Sequence, residues 1–449
     1  MRTERTALQK SRNLFGYGVG DFGLNIYWQT IAIFLLYWYT KVAGVDPRWA
    51  GLIFFIGMAW DAISDPIVAS LAERVETKYG TYRPFLLFCA PITAFAFTLL
   101  FWVPPWEGAA KIGILILTCL VFRTAYTITA IPYAAMASRI TYDSTERAEY
   151  SGARMFFGFF ALVLVSMFLS PLVAHFTTEL GSPEKAFQLT AALGGILATL
   201  AIWACFMMTR EKPLPVKTRQ SENIWTGIWM NVTSNKALQI LLGLIVLNTA
   251  AATALAATLL FYIEANQNIF AKEEILLSTF AIVTWLMIPV WTYLIKVHGR
   301  KKVWIGTSLV HVLLALHMTI TGPIIMFGVP VHIIAFMALM GAHAIIFWAL
   351  VPDCVEFGQI DSGYRSEAGV FGSVLITQKF SGGLMVLGFG FVLSAMGVQK
   401  DAPVTADQAD GLGLFIALCP AVLVLFTIIP ILLIPMTRSR HDNIIGELS

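Results

Sequence analysis

The sequence predicts an all-α polytopic membrane protein with twelve transmembrane helices in two six-helix bundles and both termini cytoplasmic. Three observations carry that expectation. The 449 residues are 57% hydrophobic and 13% charged, with a mean hydropathy of +0.74, against about 25% charged in soluble domains. Apolar runs of about 20 residues, the length of a bilayer crossing, recur along the whole chain. The two halves also echo one another. The composition excludes a secreted disulfide scaffold, a nucleic-acid binder and a soluble multidomain enzyme, and a net charge of +3 suggests no polyanionic partner. The five cysteines lie in or beside apolar stretches without metal-ligand spacing, which reads as buried thiols.

Apolar runs between polar breaks place the spans near 14–41, 49–72, 84–105, 110–138, 150–176, 187–209, 237–264, 274–297, 303–320, 329–353, 369–396 and 411–436. The longest polar stretch follows span six. The expected organisation is a bundle over 1–210 that carries the cation site, a cytoplasmic central loop over 211–236, and a bundle with a short cytoplasmic tail over 237–449. With the N-terminus inside, the inner segments hold 22 of the 30 basic residues. The outer ones hold only Lys41, Arg48, Lys111, Lys185, Lys272 and Lys400. Such asymmetry sets both termini in the cytoplasm.

The frame Asp-Ser-x-x-Arg-x-Glu occurs at Asp143 and again at Asp361, after spans four and ten. Pro132 and Pro352 precede it at nearly the same spacing, and a glycine–basic turn recurs at Gly80–Arg83 and Gly299–Lys302. Three matches at one spacing indicate a parallel duplication. Two six-helix repeats are the plan of major facilitator transporters, which carry substrate near the bilayer midplane.

Ionisable residues inside spans are costly and mark pathways or partners. In span one, Asp21, Asn25 and Gln29 form one polar stripe, fit either to bond sugar hydroxyls or to glue helices together beside glycines 16, 18, 20 and 23. Span two places Asp61 and Asp65 on one face, with Ser64 between them. Two such carboxylates need a proton, a cation or a basic side chain, and their oxygens suit a hard cation; a buried salt bridge to Arg123 or Lys379 is the competing reading. Span four carries Arg123 and Thr127 on one face beside Tyr126. Arg123 either neutralises Asp21, Asp61 or Asp65 or grips an anionic substrate. Span eleven brings Lys379 after Gln378. His343, near the middle of span ten, is the one histidine worth testing as a relay, although packed helix histidines are commoner.

These residues resemble the glycoside–pentoside–hexuronide:cation symporters, the melibiose-permease-like branch of the major facilitator superfamily. The similar stretches are Gly16–Asp21 with Asn25, Trp60–Pro66, Tyr79–Pro84, Tyr126–Thr127 with Ile131–Tyr133, Glu146–Arg147 with Arg154, and Asp353, Gly369 and Lys379. They run in order over nearly the whole chain. The resemblance implies Asp61 and Asp65 as principal ligands of Na⁺ or H⁺, with Thr127 assisting and Ser64 nearby. It implies Lys379 as a link between cation and sugar sites, and Arg154 beside the sugar pocket. Two carboxylates that hold galactosyl hydroxyls in the melibiose type stand here as Asn25 and Ala130, which favours a pentoside or hexuronide over a galactoside.

The expected function is therefore symport of a sugar or glycoside with Na⁺ or H⁺ by alternating access, in the inner (plasma) membrane. Lysophospholipid transport on the same fold is the alternative. A membrane enzyme, a channel and a nucleic-acid partner are disfavoured. No cofactor beyond the coupling ion is expected, and the chain is expected to be a monomer. The substrate set is Asp21, Asn25, Arg123, Tyr126, Arg154 and Lys379. A cytoplasmic gate is expected from Arg83, Arg147, Glu149, Arg365 and Glu367.

Overall fold

The computed structural model describes residues 2–141, 144–212, 224–362, 367–400 and 404–434. Among these, eleven helices are long and apolar enough to cross a bilayer. They correspond to predicted spans two to twelve, so the chain is a multi-pass membrane protein. They are α2 (Pro47–Ala72), α3 (Arg83–Leu100), α4 (Gly108–Ile140), α5 (Ser144–Leu180), α6 (Pro183–Met208), α8 (Lys236–Ala265), α9 (Glu273–His298), α10 (Arg300–Thr321), α11 (Val331–Ser362), α12 (Glu367–Ala395) and α13 (Ala406–Phe426), the last continued by α14 (Ile428–Leu433).

The first predicted span falls on α1 (Arg2–Thr30), which runs on through π-helical segments Ile31–Leu35 and Trp38–Val42. The basic N-terminal turns and the Asp21–Asn25–Gln29 stripe lower its hydropathy, which sets it apart from the other eleven. Segments with π geometry inside long helices are frequent at functional sites.

Local signals start and stop these helices. Asp46 accepts from the Arg48 amide at 2.9 Å and Pro47 opens α2. Ser182 and Pro183 do the same for α6, and Thr405 with Gln408 forms a capping box on α13. Such caps satisfy amides that an intrahelical bond cannot reach. Gly299, at φ +84°, ends α9 and opens α10. One difference concerns the expected central loop, where α7 (Ile224–Ser234) forms and packs on α12. Asn235 then caps α8 through the Leu238 amide and donates to the Cys354 carbonyl at 2.8 Å.

The chain divides into two units. The first comprises Met1–Thr218 with Glu273–Ala281 and Gln399–Ala402; the second comprises Arg219–Lys272, Ile282–Val398 and Pro403–Ser449. In the first unit α1 packs on α5 and α6, α3 on α4 and α6, and α2 on α4. The span-one glycines sit at these contacts. A Cβ on Gly18 would lie 2.4 Å from the Phe157 ring, and one on Gly23 would lie 2.7 Å from the Ala198 carbonyl oxygen. Small residues let backbones approach where lipid offers no hydrophobic drive. In the second unit α8 packs on α11, α12 and α13, and α10 on α11 and α13, around buried Leu241, Leu244, Trp304 and Ile346. Because the Ala198 carbonyl is backbone and cannot rotate away, Gly23→Val should cost about 1–3 kcal/mol by overpacking. A lowered midpoint in thermal unfolding of the detergent-solubilised protein would register it.

Candidate functional site

Helices α2 and α4 are joined by polar rungs inside the first unit. Arg123 Nη1 donates to Asp61 Oδ2 at 2.8 Å, and Thr127 Oγ1 donates to Asp65 Oδ1 at 2.9 Å. Each rung joins residues 62 apart in sequence. The constant offset makes the two helices parallel, and four-residue spacing on each places both rungs on one face. Beside them, Trp60 Nε1 donates to Thr124 Oγ1 at 2.9 Å. The upper pair is almost sealed, with side-chain exposures of 1% for Arg123 and 0% for Asp61. Asp65 is half-buried, Thr127 is buried, and Ser64 is buried with no hydrogen-bond partner for its hydroxyl among the described residues.

Arg123 lies across α2 because residue 57 is glycine. A Cβ there would stand 2.7 Å from Cys119 Sγ and 3.3 Å from Arg123 Nε. The guanidinium carbon also lies 5.6 Å from the Phe54 ring centroid. The sequence leaves Arg123 between two roles, and the structure pairs it with Asp61 inside the first unit.

A second polar cluster joins α1 to α5. Arg154 Nε donates to Asp21 Oδ1 at 2.9 Å, and Asn25 Nδ2 donates to Asp21 Oδ2 at 2.9 Å. Gln29 Nε2 continues the stripe to Asn25 Oδ1 at 3.3 Å. Asp21 is buried, whereas the Arg154 side chain is 40% exposed and lies over the Tyr133 ring at 5.5 Å. Gly158 faces this pair, where a Cβ would come within 3.1 Å of both Asn25 Nδ2 and Asp21 Oδ2. Tyr126, half-buried on α4, directly precedes Thr127 and packs against the rings of Phe122 and Tyr27. Five predicted substrate residues (Asp21, Asn25, Arg123, Tyr126 and Arg154) and all four predicted cation residues therefore lie in one unit. Lys379 sits half-buried on α12 in the second unit.

Sequence reasoning missed Tyr17 and Tyr133. Their rings stack at 4.7 Å beside Asp21, and Tyr133 Oη donates to the Tyr17 carbonyl at 2.7 Å. Tyr133 follows Tyr126 by seven residues, two turns along one helix face, and that spacing was the available signal. Tyr27 packs into the core against Phe97 and donates to the Gly195 carbonyl, so it serves packing. His343 lies stacked on Trp304 at 4.3 Å, with Nε2 3.0 Å from Thr307 Oγ1. That is the environment of a packed helix histidine.

Two of the expected gate residues, Arg83 and Glu149, have described side chains. Glu149 pairs with Lys10 at 2.8 Å. Arg83 donates to the Phe206 carbonyl at 2.6 Å and to the Tyr79 carbonyl at 3.2 Å, with its guanidinium over the Phe206 ring. The amides of Thr81, Tyr82 and Arg83 all donate at 2.8 Å to the carboxylate of Glu211, which caps α3. Gly80 (φ +112°) admits this carboxylate, since a Cβ there would lie 2.8 Å from Glu211 Cδ. Burial pushes the neighbouring Tyr82 phenol up, Glu73 and Glu211 add to the rise, and Arg139 opposes it. In the second unit the matching turn places Arg300 against Asp353. Arg365 and the side chains of Arg147 and Glu367 lie outside the described residues.

No group of three or more His, Cys, Asp or Glu suited to a metal ion occurs among the described residues. The oxygens at hand for a coupling cation are those of Asp61, Asp65, Ser64 and Thr127, and Asp61 Oδ2 already holds a guanidinium.

Apolar helices with a charged interior in one unit define a multi-pass membrane transporter of the major facilitator fold. The solved nucleoside transporter NupG shares that fold with a TM-score of 0.63 and 16% identity over 93% of this chain and 98% of its own. The chain belongs to the MFS/sugar transport protein family, whose model matches residues 16–438. It is 24% identical to an uncharacterized symporter, YnaJ, of Bacillus subtilis (strain 168) over 96% of this chain and 93% of YnaJ. It is also 26% identical to the glucuronide carrier protein homolog of Escherichia coli (strain K12) over 97% of this chain and 95% of the carrier.

Removing one member of a buried ion pair strands the other charge, at a cost of about 3–5 kcal/mol. Asp61→Asn should therefore destabilise the protein strongly, and Asp61→Asn with Arg123→Gln should recover most of the loss in detergent thermal melts. Glu211→Ala uncaps three amides and should cost about 2 kcal/mol. Faster exchange of the 81–83 amides in hydrogen–deuterium exchange would register that local release.

Proposed function

We propose that the protein is a cation-coupled symporter of a sugar or glycoside, a pentoside or hexuronide rather than a galactoside, and not an enzyme. The observation that carries this reading is the polar interior of one apolar unit, which holds both the Asp65–Thr127 rung and the Asp21–Asn25–Arg154 cluster. Asp65, with Thr127 and Ser64, offers oxygens to a coupling ion, and Asp61 completes the acidic pair on α2. Asn25 and the exposed part of Arg154 offer donors to substrate hydroxyls or a uronate, and Tyr126 belongs to the same substrate set. Lys379, on α12, is retained as the residue that the family resemblance links to the cation and sugar sites. Kinship with a protein named for glucuronide transport supports an anionic sugar.

Counting α1 with its π-helical continuation gives twelve spans. The positive-inside asymmetry supports cytoplasmic termini, and the reading is of a monomer in the inner membrane. The cycle is alternating access, in which cation and substrate favour one another's binding by a reciprocal free energy of about 1–3 kcal/mol. Arg83, Arg147, Glu149, Arg365 and Glu367 are the residues of the sequence from which a cytoplasmic gate would be built.

One observation favours transport of a lysophospholipid or other amphiphile. An apolar cavity of about 360 Å³ opens in the first unit among Phe22, Ile26, Phe97, Phe101, Phe168 and Leu197, and an aliphatic chain would fill it. Proteoliposomes separate the readings. Symport predicts accumulation of a labelled hexuronide or pentoside under an imposed cation gradient, and amphiphile transport predicts lysolipid flipping without sugar accumulation. In Asp65→Asn the sugar should equilibrate without being concentrated. Undiminished accumulation in that variant would remove Asp65 from the coupling site.

A further inference from the structure

We propose that Arg123 is a tethered cation that permanently occupies Asp61, so that the protein transports without Na⁺ or Li⁺. The proposal rests on the symport reading and specifies which ion the site refuses.

The geometry of the α2–α4 rungs supports it. A guanidinium keeps its charge at any pH a protein meets. Here it meets Asp61 Oδ2 at 2.8 Å with both side chains withdrawn from the surface. An alkali ion on Asp61 would sit within about 5 Å of that charge, one nitrogen–oxygen contact plus one hard-cation–oxygen bond away. In a low-dielectric interior such proximity is strongly repulsive. Arg123 Nε and Nη2 are buried without a hydrogen-bond acceptor among the described residues, so the guanidinium brings N–H donors and no metal ligand to its side of Asp61.

The surroundings hold the guanidinium in place. Gly57 clears the space beside Nε, Cys119 lies against the same gap, and Phe54 offers its ring. The register of the two helices matches Arg123 to Asp61 in the way it matches Thr127 to Asp65. A free ion must therefore displace a partner that cannot diffuse away.

Proteoliposome uptake and Na⁺ titration calorimetry on the purified full-length protein test this, with K⁺ or choline replacing Na⁺. The native protein should take up substrate under a proton gradient equally well with or without Na⁺ and should give no heat of Na⁺ binding. Arg123→Gln should acquire Na⁺ or Li⁺ binding, with uptake stimulated on the order of tenfold, within the range of coupling between linked sites. Arg123→Lys, which keeps a tethered charge, should remain indifferent to Na⁺. Trp60, adjacent to Asp61, supplies a fluorescence readout of cation binding that needs no substrate. Na⁺-driven uptake or Na⁺ binding by the native protein would overturn the proposal, as would a folded Arg123→Gln that gains no Na⁺ response. If Arg123→Gln does not fold, calorimetry on the native protein and on Arg123→Lys decides. A native protein that concentrates no sugar under any gradient would instead overturn the symport reading, and Na⁺ calorimetry would still judge Arg123.

Discussion

The ion pair between Arg123 and Asp61 is the constraint around which the first unit is arranged. Neither charge tolerates a dry interior alone, and together they bind α2 to α4 at one register. Everything beside them follows from that register. Thr127 meets Asp65, Trp60 meets Thr124, and residue 57 must be small enough for the guanidinium stem to pass. A buried pair of this kind adds little net stability, because desolvation offsets the attraction. What it supplies is a fixed alignment of two helices that lipid would otherwise let slide.

The same logic governs the contact of α1 with α5. Asp21 is satisfied by Arg154 and Asn25, and its own helix approaches α5 and α6 closely through small residues. Of the two readings of the span-one stripe, recognition or helix glue, the contacts show the second: Asp21 of α1 takes Arg154 of α5. Glycines make the contact, while the polar residues turn to the interior, where Arg154 remains partly accessible. Tyr133 meets Arg154 from α4, the helix that also carries Arg123 and Thr127, so one helix serves both polar clusters.

The residues of the expected gate teach a different lesson. Arg83 and Glu149 both belong to the expected gate, and Arg83 gives its donors to backbone carbonyls while Glu149 takes Lys10. Nearby, Glu211 turns an exposed polar stretch into a cap for α3. Charge sign alone does not choose between neighbours at an interface, where a helix end offers several amides or carbonyls at once. The helix α7 was missed for a related reason. Eleven residues between polar flanks carry too weak a pattern to stand out from a loop.

Hydropathy, charge asymmetry and the repeated Asp-Ser-x-x-Arg-x-Glu frame were enough to determine a polytopic membrane protein and to single out Asp21, Asp61, Asp65, Arg123 and Lys379. That was possible because bilayer insertion is a local property, paid residue by residue, and a charge in an apolar run stands out without any knowledge of its partner. Pairing is not local. Which carboxylate takes Arg123, whether Arg154 reaches Asp21, and what caps α3 depend on the rotation and register of helices far apart in sequence. Tertiary packing alone decided those contacts, through close approaches measured in tenths of an ångström at Gly57 and Gly80.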